Sequence, residues 1–219
     1  MEIFHRFIEI VRDVETPVIF EFGTCDGKHT NIMCCVLKEL GKKFKYHAFE
    51  GDYRIVKNFY QNNMDHLTEI TLVQGAIGST DGEVTFNLSG GTESREGHYK
   101  QTFYGSSSIK APKKTSEYWP DMTFEESKVR CYKFDTYYDY VKPGIIDFIW
   151  CDIQGAEREL IEGGQYAFSK TRYLYTEYNQ GDSYEGEIGL DEIIKMLPGE
   201  WSIVEDYGHD ILLKNESFK

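Results

Sequence analysis

No apolar run in this sequence approaches the ~20 residues that an α-helix needs to cross a bilayer. The opening stretch, Met1–Ile10, is charged and amphipathic, which argues against a signal peptide. Positive charge is scarce: 24 Lys and Arg stand against 37 Asp and Glu, a net charge of −13. Residues 145–219 hold 6 of those bases and 16 of the acids, so most of the excess lies in the last third. A chain so poor in basic residues offers little to phosphates, and a nucleic-acid partner is disfavoured. The five cysteines, Cys25, Cys34, Cys35, Cys131 and Cys151, are odd in number and contain no Cys-x-x-Cys pair. They fit neither a disulfide framework nor a zinc site, and they suit a reducing, cytoplasmic setting. Also missing are the G-x-G-x-x-G fingerprint and the Walker lysine that cradle a pyrophosphate.

Aromatic residues are abundant: 14 Phe, 16 Tyr and 3 Trp exclude overall disorder. A length of 219 residues suits a single domain, 1–219, with its own core. Apolar residues at helical spacing predict an N-terminal helix within 1–14. Strands are predicted at 17–22, 46–50 and 70–74, with helices between them, the alternation of a doubly wound, Rossmann-like α/β sheet. After this third strand comes an insertion. Glu83–Leu88 alternates like an exposed strand, and residues 89–127 show no sustained period. This irregular insertion reads either as a lid over a ligand site or as a mobile excursion. Regular structure returns at 129–134. Next comes the apolar Ile145–Cys151, a strand buried on both faces. A further strand is predicted at 173–177, and the chain ends in an antiparallel hairpin, 201–205 with 211–213.

Candidate site residues fall where predicted strands end. Between the first strand and its helix lies Glu21-Phe22-Gly23-Thr24-Cys25-Asp26-Gly27, a Gly-x-x-x-Gly turn with an acid two residues before it. This turn fits a ligand without pyrophosphate, small and zwitterionic or cationic, whose amine Glu21 could meet. Glu50 ends the second strand, where a carboxylate can accept from both hydroxyls of a ribose. Gly75-Ala76-Ile77-Gly78 follows the third, with small residues that could face an adenine. The ligand combining amine, ribose and base without pyrophosphate is S-adenosylmethionine. Ligands of open α/β sheets bind beyond the carboxyl ends of the strands. Asp152, Glu177, Asn179, His209 and Asp210 are therefore grouped at the reaction centre, with His98 and Ser106, Ser107 and Ser108 contributed by the insertion.

The motifs Glu21–Gly27 and Ala48-Phe49-Glu50 look like the opening motifs of class I methyltransferases. The succession Gly75–Gly78, Asp81-Gly82-Glu83-Val84, Phe134-Asp135 and Ile146–Glu157 resembles the FkbM family over roughly residues 17–178. That resemblance implies a seven-stranded methyltransferase sheet and methyl transfer from S-adenosylmethionine to a hydroxyl of a sugar, glycan or small metabolite. Three positions depart from the family pattern: Gln154 stands for a usual Glu, Cys25 for a common Asn and Trp150 for a frequent Lys. Trp150 reads either as core or as an aromatic platform for an acceptor.

An alcohol needs help to lose its proton, from a base or a metal ion. Asp152 is the first choice of base and His209 the second, since an ordinary imidazole titrates near neutrality. The cofactor-binding set is Glu21, Gly23, Cys25, Gly27, Glu50, Ala76 and Asp152; the acceptor set is Ser107, Ser108, Trp150 and Glu177. A divalent metal is not favoured, but Asp152, Glu177 and Asn179 are the oxygen donors that would hold one. Lys110, Lys113 and Lys114 form a small basic cluster, either a solvated face or a phosphate contact. A nicotinamide-dependent oxidoreductase and a catalytically silent cofactor-binding module are the rival functions.

Overall fold

The computed structural model describes residues 2–93, 101–113, 122–178 and 183–218. Five parallel strands form the heart of the main sheet: β1 (Val18–Phe22), β2 (Lys45–Glu50), β3 (Ile70–Gln74), β8 (Ile146–Cys151) and β9 (Thr171–Glu177). The terminal hairpin, β10 (Trp201–Asp206) and β11 (Asp210–Asn215), adds two more, with β11 antiparallel to β9. Strand order is β10-β11-β9-β8-β1-β2-β3, seven strands as expected. β1 and β8 lie at the centre and every residue in them is buried, which is why both read as continuous apolar runs.

Alternation along the strands separates two cores. Phe20, Phe22, Phe49, Ile149 and Cys151 face α4 (Phe134–Val141), α5 (Glu157–Gly163), α6 (Gln165–Ser169) and α7 (Leu190–Met196). Ile19, Tyr46, Phe148 and Trp150 face α1 (Glu2–Arg12) and α2 (Lys28–Glu39). A shorter helix, α3 (Val56–Asn62), follows β2. No described helix is long and apolar enough to cross a membrane.

The insertion after β3 is more regular than its sequence implies. β5 (Gly82–Glu93) and β7 (Met122–Lys133) pair antiparallel from Gly82 against Cys131 to Gly91 against Met122. With β4 (Ala76–Gly78) and β6 (Gln101–Thr102) they make a second sheet, ordered β4-β7-β5-β6. Both ends of the stretch 89–127 are therefore strand rather than irregular chain. Backbone pairing holds this ribbon together, and only a small apolar group, Phe86, Leu88, Val129 and Cys131, is buried in it. A ribbon so rich in polar residues leaves little apolar period to detect.

Candidate active site

Gly23 and Gly27 are dictated by backbone crowding. Gly23 has φ of +80°, and a Cβ there would lie 1.7 Å from the main-chain oxygen of Asp152. Gly27 has φ of +77°, and its Cβ would lie 2.5 Å from the Phe59 ring. Glycine thus lets the loop lie on the end of β8 and lets α2 close on α3. Glu21 stands beneath the loop, 1% exposed, facing α2. Its Oε2 accepts from Thr30 Oγ1 and from the Tyr46 hydroxyl, each at 2.5 Å. Thr30 Oγ1 in turn lies 2.7 Å from Thr24 Oγ1, and burial pushes the Glu21 carboxyl up to about 7. The expected meeting of Glu21 with a ligand amine is therefore corrected: strand alternation aims it away from the cavity, and it fixes the loop from below.

A cavity of about 360 Å³ opens beyond the carboxyl ends of β1, β2 and β8, within the range of small-molecule sites. Gly23, Cys25, Glu50, Ala76, Asp152 and Ser107 line it as the sequence suggested. Glu50 is held by backbone alone: Cys25 N donates to its Oε2 and Asp52 N to its Oε1, both at 2.7 Å. Each oxygen keeps a lone pair for a further donor. Burial pushes this carboxyl up to about 8. Ile77, Phe86 and Ile109 provide an apolar wall beside it. Cys25 has φ of +51°, and burial pushes its thiol up to about 12, so it stays protonated.

The opposite edge carries Asp152 and Gln154, with Glu177 and Asp210 behind them and outside the cavity lining. Gln154 Nε2 donates to Asp152 Oδ1 at 2.6 Å and to Glu177 Oε2 at 3.2 Å. Asp210 pairs in register with Glu177 across β11 and β9. Burial raises all three; neighbouring acids add to the rise at Glu177, which reaches about 8, while the Gln154 amide opposes it at Asp152 and the Tyr175 hydroxyl opposes it at Asp210. Asp152 N also donates to Phe22 O at 2.9 Å, which fixes this residue to the end of β1.

Other candidates take different places. Trp150 is 5% exposed, its ring 4.4 Å from Tyr175, 4.7 Å from His29 and 5.7 Å from Phe4. It is part of the core beneath the rim rather than a platform in the cavity. Ser108 is buried as well, and its Oγ donates to the main-chain oxygen of Gln154 at 2.8 Å, a structural pin. His209 is exposed at the hairpin turn and does not line the cavity; its carbonyl accepts from Tyr178 N at 2.8 Å. Lys110 is committed to Glu159 at 2.5 Å. Asn179, His98 and Lys114 lie outside the described residues. Among the described residues, no three His, Cys, Asp or Glu side chains are placed to hold a metal ion.

Residues 103–113 form a strap across one wall. Ser107 Oγ donates to Asp52 Oδ2 at 3.0 Å, and Ser108 exchanges main-chain hydrogen bonds with Asn87 at 2.7 and 3.1 Å. Asp52, fully buried, is gripped by the Arg54 guanidinium, which also lies 4.8 Å from the Tyr104 ring. Tyr104 and His29 line the cavity without having been candidate site residues, and Gln154, marked in the sequence only as a departure from the family pattern, lines it too. His29 opens α2 and resembles an ordinary helix-surface residue; burial against its neighbours lowers its pKa. The departure at Gln154 does not by itself show its contacts, which the fold assembles.

The family described as "Methyltransferase FkbM domain" matches residues 21–211. A 2-O-methyltransferase, NoeI of Sinorhizobium fredii (strain NBRC 101917 / NGR234), is 31% identical over 216 residues, covering 96% of this chain and 84% of that protein. Among solved structures, the methyltransferase FkbM from Methylobacillus flagellatus KT superposes with a TM-score of 0.51 at 14% identity. That match covers 91% of this chain, which spans 44% of the length of the solved one.

Proposed function

Because the chain belongs to the FkbM methyltransferase family, we propose that it transfers the methyl group of S-adenosylmethionine to a hydroxyl oxygen of a sugar, glycan or small metabolite. The observation that carries this reading is one cavity bounded by a ribose-competent carboxylate, Glu50, and an acidic edge at Asp152. Support for the hydroxyl comes from the 2-O-methyltransferase, 31% identical along nearly the whole chain. A nicotinamide oxidoreductase is not favoured by any of these features.

The residues present fit the cofactor. Glu50, with a free lone pair on each oxygen, would accept from the ribose hydroxyls, and Ala76, Ile77, Phe86 and Ile109 would enclose the base. The cationic end would lie toward Asp152, a buried carboxyl whose side-chain hydrogen-bond partner among the described residues is the uncharged Gln154 amide. When bound, S-adenosylmethionine supplies an electrophilic methyl group on a sulfonium. The protein must then orient the acceptor oxygen and receive its proton. Asp152 is placed to do the second, since it lines the cavity and is fixed to β1. His209, farther out on the rim, is the alternative acceptor of that proton. No step here calls on a metal ion.

The net charge of −13 supports an acceptor other than nucleic acid, and the five cysteines, all unpaired, suit a reducing compartment. The direct test is calorimetry with S-adenosylhomocysteine, followed by transfer of labelled methyl from S-adenosylmethionine to a saccharide panel. Binding together with an alkali-stable methyl ether on one acceptor is expected; a protein giving no heat with S-adenosylhomocysteine would overturn the reading.

A further inference from the structure

Gln154 carries no charge, yet the acidic edge of the cavity is organised around it. Its backbone is left-handed, φ +54°, and Gly155 follows at φ +87°. Residues other than glycine adopt that conformation at a cost, so the turn is held for a reason. Here it places one amide between two acids that would otherwise face each other unscreened. The two Nε2 protons go to Asp152 Oδ1 and Glu177 Oε2. The Tyr184 hydroxyl shares its one proton between Ser106 O on the strap, at 2.8 Å, and Gln154 Oε1, at 3.2 Å. The main-chain oxygen of Gln154 accepts from Ser108 Oγ. Every polar group of the side chain is thus committed, linking Asp152 to the strap.

We propose that Gln154 is a positioning residue that keeps the Asp152 carboxylate ionised and facing the cavity and joins it to the 103–113 strap through Tyr184. The chemistry explains the residue type. Two close carboxylates resist sharing negative charge, and one tends to retain its proton unless donors stabilise the anions. A Lys would supply donors but would also cancel the negative field that a cationic ligand requires. A Glu would add a third acid. An amide gives two donors at no net charge. Around this pair the remaining ionisable groups are chiefly acids: Asp210 on β11, Glu157 at the start of α5 and Glu187 beside Glu177. The phenols of Tyr175 and Tyr184, the thiols of Cys25 and Cys151, Glu21 beneath the loop, and the imidazoles of His29 and His209 beside Asp210 are the others among the described residues.

The inference rests on the methyltransferase reading only for the task given to Asp152, and its test separates the two. Side-chain carboxyl carbons are titrated by NMR in the cofactor-free protein, which requires no acceptor and no turnover. In Gln154→Leu the Asp152 midpoint is expected to rise by about one pH unit, as loss of a charge-assisted hydrogen bond implies. In Gln154→Glu it rises further, and the acidic limb of kcat/KM moves up with it in both variants. Tyr184→Phe gives a smaller displacement in the same direction. An Asp152 midpoint unchanged in folded Gln154→Leu overturns the proposal, as does a fall in Tm and kcat with no displacement of the pH profile. Should Gln154→Leu not fold, the near-isosteric Gln154→Glu decides by the same titration. If the wild type transfers no methyl, the function fails while the titration still judges the link.

Discussion

The two edges of the cavity are built on opposite plans. On the β1–β2 edge, glycines and main-chain N–H groups do the work, and Glu50 receives a backbone donor on each oxygen. On the β8–β9 edge, Asp152, Glu177 and Asp210 crowd together with one amide between the first two. The first edge is a shape that a neutral polar group can enter; the second is an unbalanced charge. A ligand with hydroxyls at one end and a positive charge at the other answers both. The contrast also separates what should break the fold from what should break the chemistry.

The largest effect is expected at the first edge. Gly23→Ala sets a methyl group against the Asp152 carbonyl at a positive φ. A fall in Tm on the order of 10 °C, or no soluble protein, should follow; a melt near wild type would show that the loop can move off β8. Next comes a pair of variants that sharpens the division. Asp152→Asn should lower kcat by about 10²–10⁴-fold while leaving S-adenosylhomocysteine affinity within a few-fold. Glu50→Gln should do the reverse, raising the cofactor Kd by about tenfold or more with a milder effect on kcat. Equal effects of the two variants on both parameters would erase the distinction between the edges.

Smaller effects concern protons. Burial raises Glu50, Glu157 and Glu177 to about 8 each. Between the ordinary carboxylate range and pH 8 the folded, cofactor-free protein therefore binds more protons than the unfolded chain. The stability they contribute is full below about pH 4.5 and is lost as pH rises through 8. Tm should decline from pH 5 to pH 9, and Glu50→Gln should flatten that decline. Finally, a cation beside these acids favours their ionised forms, so binding at pH 7 should release protons. Calorimetry in buffers of differing ionisation enthalpy should show a larger release with S-adenosylmethionine than with S-adenosylhomocysteine, which lacks the sulfonium. Equal release would place the charge away from the acidic edge.

Legibility in the sequence follows the same division. Strand ends are easy to find when central strands are apolar, so Gly23, Glu50 and Asp152 were locatable from Phe22, Phe49 and Cys151 beside them. Glu21 was misplaced because adjacency to the glycine loop says nothing of which face a strand residue takes. Its alternation with Phe20 and Phe22 sends it toward Thr30 and Tyr46. The β5–β7 ribbon is legible in sequence only at Glu83–Leu88 and from 129 on, since its other polar residues pair mainly through backbone and leave little periodic trace. Gln154 and Tyr104 matter through partners distant in sequence, Glu177, Tyr184 and Arg54, and only the fold assembles those contacts.

The contact between Gly23 and the Asp152 carbonyl has a mechanical meaning. The glycine turn at the cavity floor and the carboxylate across from it rest on one shared point of backbone, reinforced by the hydrogen bond from Asp152 N to Phe22 O. Their separation is a fixed dimension of the sheet, set when β1 and β8 pair. The strap side is tied differently, by the Ser107 and Ser108 hydroxyls, the Ser108–Asn87 main-chain pair, the Lys110–Glu159 ion pair and the Tyr184 hydroxyl, all contacts made by residues outside the pairing of β1 and β8.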